Sequence, residues 1–188
     1  MRMPFGGAHP SMATHNHLSA LSDSSFLEII ATDPAAAPSR RKRWFNLDDA
    51  QFQQHLDANG PKLTTWVVGT TDLPASLALL RDAGLDAGEP VPVSRGDLSW
   101  QIGLLPDGTL ACDGVFPILI QWPRNTNPVE RMSKQGLQLE RVCLKHPESD
   151  RINAALALIG ADHLAEVQEG ETSLSAKLSV GERVIQLG

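Results

Sequence analysis

The sequence predicts an α+β protein assembled from repeated strand–helix–strands units. Three observations carry this. Lys62–Thr71 (KLTTWVVGTT) is rich in β-branched residues and reads as a strand. It is followed at once by a helix signal: Asp72 as cap, Pro74 in the first turn, and Leu73, Leu77 and Leu80 on one apolar face. The same order of events returns seventy-odd residues later: Leu137–Leu144 (LQLERVCL) alternates like a strand, and Ile152, Leu156 and Ile159 again sit at i, i+4 and i+7.

The middle unit is the fullest. Its helix is expected over 73–84, ended by Gly84. Strands are expected at Pro90–Ser94, at Leu98–Leu105 before a Pro-Asp-Gly turn at 106–108, and at Phe116–Trp122 (FPILIQW). In the last unit the helix is expected over 148–160 with Gly160 as its stop. Short strands follow at Leu164–Gln168, Leu174–Leu178 and Val184–Leu187, separated by Gly170 and Gly181. An internal duplication is the economical explanation, and the middle and last units are expected to superpose.

The first unit reads as incomplete. Thr14–Leu21 (THNHLSAL) and Phe26–Ala31 (FLEIIA) suit a hairpin around Ser22–Ser25, with nothing before them that can serve as an opening strand and helix. Such a hairpin leaves an unpaired edge, so either the natural chain begins upstream of Met1 or another chain supplies the strand. Residues 32–59 read as a linker ending in a short helix over Leu47–Leu56, with Trp44 and Phe45 packing it onto a sheet. The units divide as 1–60, 61–130 and 131–188.

Composition narrows the function classes. With 188 residues, 41% hydrophobic and 20% charged, the chain can bury a good core and is not a disordered composition. A net charge of −6, no tyrosine and only 5% aromatics disfavour a nucleic-acid surface. Cys112 and Cys143 form no Cys-x-x-Cys pair and read as reduced thiols. No apolar run has membrane-spanning length, and Met1–Pro10 lacks the apolar stretch of a secretory signal, so a cytoplasmic protein is expected.

Candidate site residues follow from strand parity and from polar groups in apolar surroundings. Glu28, among Leu27, Ile29 and Ile30, is costly unless paired, coordinated or solvated in a cavity; a strand-edge carboxylate facing water or an arginine is the plainer alternative. His15 and His17, two apart in a strand, share a face and could hold a metal or act as acid and base, with His9 joining from the preceding segment. Alternatively one lines a pocket and the other is exposed. Asn16 faces the other way and reads as structural. The run Arg40-Arg41-Lys42-Arg43 reads as a solvated charge run or as an anion clamp, and Arg95 in a Ser-Arg-Gly turn is the better anion candidate. Trp66 and Trp100 read as core or pocket wall.

Several strings in order resemble the glyoxalase-like domain family of the vicinal oxygen chelate superfamily: Gly6-Gly7-Ala8-His9-Pro10, Thr14-His15-Asn16, Phe26–Ala31, Leu63–Leu73, Ile118–Trp122 and Val142–Pro147. The resemblance implies β-α-β-β-β modules whose mixed sheets curl into a cup, the first module here lacking its opening strand and helix. It also implies a divalent metal in the cup, held by a His or Gln and a Glu from each module, which activates vicinal oxygens as a Lewis acid. On that pattern Glu28 stands at a ligand position and His15 could be a second. Thr65 stands where a ligand His would be, and Gln121 where a Glu would be. One carboxylate is a poor donor set for a hard divalent ion, so metal binding is expected to be weak or absent.

The expected pocket is therefore the cup, lined by His15, His17, Glu28, Trp100 and Gln121, with Glu28 and His15 as the catalytic and metal candidates. The expected partner is a small-molecule ligand, not nucleic acid or membrane, and a homodimer is left open. Fold membership names no reaction. An enzyme of degenerate metal site and a non-catalytic ligand-sequestering module both remain.

Overall fold

The structure is a computed structural model and describes residues 3–188. It is an α+β fold of three sheets and three α-helices. The first sheet is an antiparallel meander of β1 (Phe5–His9), β2 (Thr14–Ala20) and β3 (Phe26–Thr32). After the linker come α1 (Ala50–Asn59), β4 (Val67–Gly69), α2 (Leu73–Asp82), β5 (Glu89–Arg95), β6 (Leu98–Leu104) and β7 (Ile118–Gln121). These strands form a sheet in the order β4-β7-β6-β5, with β4 parallel to β7. The last unit contains β8 (Leu137–Lys145), α3 (Ser149–Leu158), β9 (Glu166–Gln168), β10 (Ser173–Val180) and β11 (Arg183–Leu187), ordered β11-β10-β8-β9.

Helix α2 forms where capping and periodicity agree. The Asp72 carboxylate accepts from the Ala75 N–H at 3.1 Å, and Leu73, Leu77 and Leu80 are buried. Helix α3 buries Ile152, Ala155 and Leu156. Both faces enter one core with Val68, Phe116 and Leu119 of the middle unit and Val142 and Leu144 of the last. The middle and last units thus share a hydrophobic interior on the helix side of their sheets.

The other side of the middle sheet carries a second core. Val93, Trp100, Ile102, Leu104 and Ile118 pack there against Met12 and against Trp44, Phe45 and Leu47 of the linker. Trp44 and Phe45 stack at 5.1 Å between ring centroids, and Phe45 and Asn46 both adopt positive φ to make the bend.

Three expectations are corrected. The first sheet does begin before the hairpin: Phe5–His9 is a strand, antiparallel to β2, with an irregularity between Phe5 and Gly7. Its pairing makes β1-β2-β3 the counterpart of β5-β6-β7, so the parallel opening strand and its helix are still not among the described residues. The strand read over Lys62–Thr71 is short, because its partner β7 lies between Pro117 and Pro123, which cannot donate to a ladder. The helical starts and stops of the middle and last units match, but their sheets do not superpose. β9 lies beside β8 and parallel to it, whereas β5 lies at the edge farthest from β4.

Candidate functional site

Strand parity decides which side chains meet. In the β2–β3 ladder Leu18 stands opposite Glu28, so Glu28 shares a face with Leu18 and Asn16. His15 and His17, opposite Ala31 and Ile29, project from the other face. The expected pairing of Glu28 with His15 therefore fails: the two lie on opposite sides of the sheet and cannot hold one ion or act on one substrate atom. His17 instead meets Met3, whose carbonyl accepts from the ring Nδ1 at 2.9 Å.

Asn16, read from the sequence as structural, is the centre of the polar cluster. Its Nδ2 donates to Glu28 Oε1 at 2.6 Å, and its Oδ1 accepts from Arg95 Nη1 at 3.1 Å. The same guanidinium nitrogen reaches His9 Nε2 at 3.5 Å, and His9 Nδ1 contacts Thr14 Oγ1 at 3.2 Å. Since the guanidinium can only donate, the neutral His9 ring accepts at Nε2 and donates from Nδ1 to Thr14. The result is one continuous series from Thr14 through His9, Arg95 and Asn16 to Glu28. It draws on β1, β2 and β3 of the first sheet and β5 of the second.

Two glycines permit this closeness. A Cβ on Gly6 would lie 2.3 Å from Asn16 Oδ1, and one on Gly7 would lie 2.7 Å from Arg95 Cδ. Gly7 also adopts φ +149°, which side chains rarely follow. Arg95 can thus lie flat across the β1 backbone where the first two sheets meet.

Burial sets the charges. His9, Thr14 and Asn16 are 2%, 0% and 2% exposed. Loss of hydration, then the Arg95 cation, then His15, lowers the His9 pKa to about 4, so the ring is neutral at physiological pH. Glu28 is half-buried. Desolvation pushes its carboxyl above the usual range, and the Asn16 hydrogen bond and the Arg95 charge only partly offset this.

Aromatic rings form the wall beside this cluster. His9 meets Trp44 edge-on at 5.1 Å and Trp100 at 6.0 Å, and Trp100 lies 5.0 Å from Trp122. The Trp44 indole N–H is buried without a hydrogen-bond partner among the described residues. Trp100 and His9 thus lie together on the side of the middle sheet away from α2, with Arg95 beside His9.

Gln121 does not. Alternation along β7 puts Ile118 and Ile120 on the cup side and Gln121 with Leu119 on the helix side. Its Oε1 accepts from the Leu73 N–H at 2.8 Å and its Nε2 donates to the Thr71 carbonyl at 3.0 Å, so the amide caps α2. Thr65 precedes β4 and donates to the Trp66 carbonyl at 3.3 Å. In the basic run, Arg43 pairs with Asp48 and Arg41 donates to the Leu105 carbonyl at 3.4 Å, which ties the linker down.

These placements bear on the metal that the superfamily pattern implies. Among the described residues no three of His, Cys, Asp and Glu gather at one point. The Glu28 carboxylate is already bonded to Asn16, and the Arg95 guanidinium is held by the same amide. This donor set does not fit a divalent cation. Asn16 and Thr14 were not read as site residues, although the parity that sets His15 and His17 on one face of the strand sets these two on the other, where the β1–β2 pairing brings His9.

Comparison with known proteins supports the fold and the family. A crystal structure of a hypothetical protein from Staphylococcus aureus superposes with a TM-score of 0.59 at 14% identity, covering 99% of this chain and 76% of that one. At that identity the likeness speaks for the fold alone. No curated protein matches the sequence. No helix among the described residues is long and apolar enough to cross a membrane. The family model of the glyoxalase-like domain matches residues 1–160, from the glycine-rich β1 through the end of α3, and the chain belongs to that family.

Proposed function

We propose that the chain binds a small organic molecule bearing an oxygen-rich, anionic group in the cup between its first two sheets, and acts on it by proton transfer without a resident metal. The observation that supports this most is the hydrogen-bonded series Thr14–His9–Arg95–Asn16–Glu28, built from four strands of two sheets. Arg95 is half-exposed, and only its Nη1 is committed to Asn16 and His9. Its remaining N–H groups suit a carboxylate or a developing oxyanion. Glu28, raised in pKa and positioned by Asn16, is the group suited to move a proton. The neutral His9 holds the guanidinium from the far side, and Trp100 and Trp122 offer an apolar wall for the rest of the ligand.

Sequestration without turnover is the second reading. It is favoured by how much of the concave side is already aromatic and aliphatic, with Trp44 and Phe45 seated on the middle sheet. One experiment separates the two. Phenylpyruvate, an aromatic keto acid, is titrated against tryptophan fluorescence, and its conversion is followed by NMR. Quenching that Arg95→Ala abolishes, with conversion that Glu28→Gln removes, supports the enzyme reading. Quenching with no conversion supports sequestration. No quenching by any aromatic keto or hydroxy acid would overturn both.

A further inference from the structure

A cavity of about 460 Å³ lies on the opposite side of the first sheet, away from the cup. It opens between β2 and β3 on one side and β8, β10 and β11 of the last unit on the other. It is an open groove lined by Leu27, Ile29, Leu137, Leu178, Ile185 and Leu187, with Met3 and His17 also on its lining. The size falls within the ~300–1,000 Å³ range of small-molecule sites. The apolar lining is two-sided, because both sheets belong to this chain and meet beneath the cavity through Leu21, Leu137 and Leu178.

The one imidazole on the wall fixes the polar chemistry. The Met3 carbonyl can only accept, so His17 Nδ1 carries the proton of the neutral ring. Nε2 is left as an acceptor, and the Phe5 ring stacks edge-on against the same imidazole at 5.6 Å. One step along the same face of β2, Ser19 is fully buried and its hydroxyl has no partner among the described residues. Among the described residues His17 Nε2 has no partner, and an acceptor on the lining of an apolar groove favours a ligand with a donor to match it. We infer that this second cavity binds an apolar alcohol or phenol, with its hydroxyl donating to His17 Nε2 and its hydrocarbon body between the first and third sheets.

The inference is independent of the cup, since no residue of the Thr14–Glu28 series lines this cavity. Decanol, methyl decyl ether and decanoate are the probes, titrated at pH 8 by displacement of a fluorescent apolar dye and by thermal shift. Decanol is expected to bind saturably and about tenfold more tightly than the ether, the worth of one hydrogen bond. His17→Phe is expected to erase that preference while keeping apolar binding. Ile29→Trp, at a 42% exposed position on the rim, is expected to block all three probes while leaving the unfolding transition cooperative. Equal binding of decanol and ether by the parent would overturn the assignment, as would binding unaffected by Ile29→Trp or no saturable binding at all. So would a concentration-dependent dimer that Ile29→Trp dissolves, which would give the face to a second copy.

Discussion

The amide of Asn16 donates to the Glu28 carboxylate at 2.6 Å across the β2–β3 ladder, whose register sets both on one face. Asn16 is 2% exposed and also accepts from Arg95. Asn16→Leu would therefore remove the partner of the half-buried Arg95 donor and of the half-buried Glu28 acceptor at once. A cost of about 1–3 kcal/mol in unfolding free energy is expected for each group left unsatisfied. Urea unfolding followed by circular dichroism measures it. A loss below half a kcal/mol, on the order of a neutral surface change, would show that the series is not formed in solution.

The pH dependence of stability separates His9 from Glu28. The folded pKa of His9 is lowered to about 4 from 6.5, so the unfolded chain binds the proton more readily between those values. Stability from His9 is complete above pH 6.5 and is lost as the pH falls toward 4, by roughly 3 kcal/mol in all. Glu28 has the opposite sign. Its folded pKa is raised, so its contribution is present below its usual value of 4.5 and is lost as the pH rises through the elevated one. His9→Gln should flatten the acid limb of the stability curve. Glu28→Gln should leave that limb and raise stability near neutrality relative to the parent. Identical curves for His9→Gln and the parent would contradict the burial assigned to His9.

How far the sequence could be read is clearest at these same residues. The helices expected over 73–84 and 148–160 were legible because an apolar period and a terminal glycine agree in each, with the Asp72 cap added in the first. Strand existence was equally legible, but strand register was not. A symmetric turn over Ser22–Ser25 would place Leu21 opposite Phe26 and Glu28 opposite Ser19, on the face of the two histidines. In the structure Leu21 donates to the Ser25 carbonyl at 2.8 Å, so Ala20 faces Phe26 and every later pairing moves by one residue. Because side chains alternate with period two, that single step carries Glu28 from His17 to Asn16. Gln121 was placed by the family resemblance, whereas alternation along β7 sets it with Leu119 on the helix side. β1 was hidden by Gly6 and Gly7, which weaken a strand signal yet are needed where Asn16 and Arg95 cross the backbone.

That crossing makes Gly7 sensitive. Gly7→Ala adds a methyl 2.7 Å from Arg95 Cδ at a φ of +149°. The fold should survive with a loss of about 1–2 kcal/mol, and Arg95 should be displaced from Asn16. Any ligand that Arg95 holds should then weaken at least as much as it does in Arg95→Lys. A Gly7→Ala variant with unchanged stability and unchanged ligand affinity would show that the arginine has another seat.

Gln121 offers a control on the other side of the sheet. As the cap of α2 it bonds Leu73 and Thr71, and Gln121→Leu should cost about 1 kcal/mol, like the loss of an N-terminal cap. Ligand affinity in the cup should not change, because the side chain points toward the helix. A selective loss of affinity with no loss of stability would return Gln121 to the pocket.

The metal question reduces to three substitutions. Glu28 is bonded to Asn16, Arg95 is held next to it by the same amide, and His15 projects from the other face of the sheet. A divalent ion entering beside Glu28 would have to displace the Asn16 hydrogen bond and tolerate the guanidinium, with no second anionic donor to compensate. Calorimetric titration with nickel, zinc and manganese is therefore expected to give no binding tighter than about millimolar, on the scale of weak carboxylate sites. His15→Ala and Gln121→Glu should leave the titrations unchanged, the first because it faces away from Glu28, the second because its new carboxylate would sit at the α2 terminus. Arg95→Glu is the informative variant: it replaces the cation with a second carboxylate on the cup side and should create binding where the parent has none. Micromolar binding by the parent that Glu28→Gln abolishes would restore the metal to the cup, and the guanidinium would then need another role.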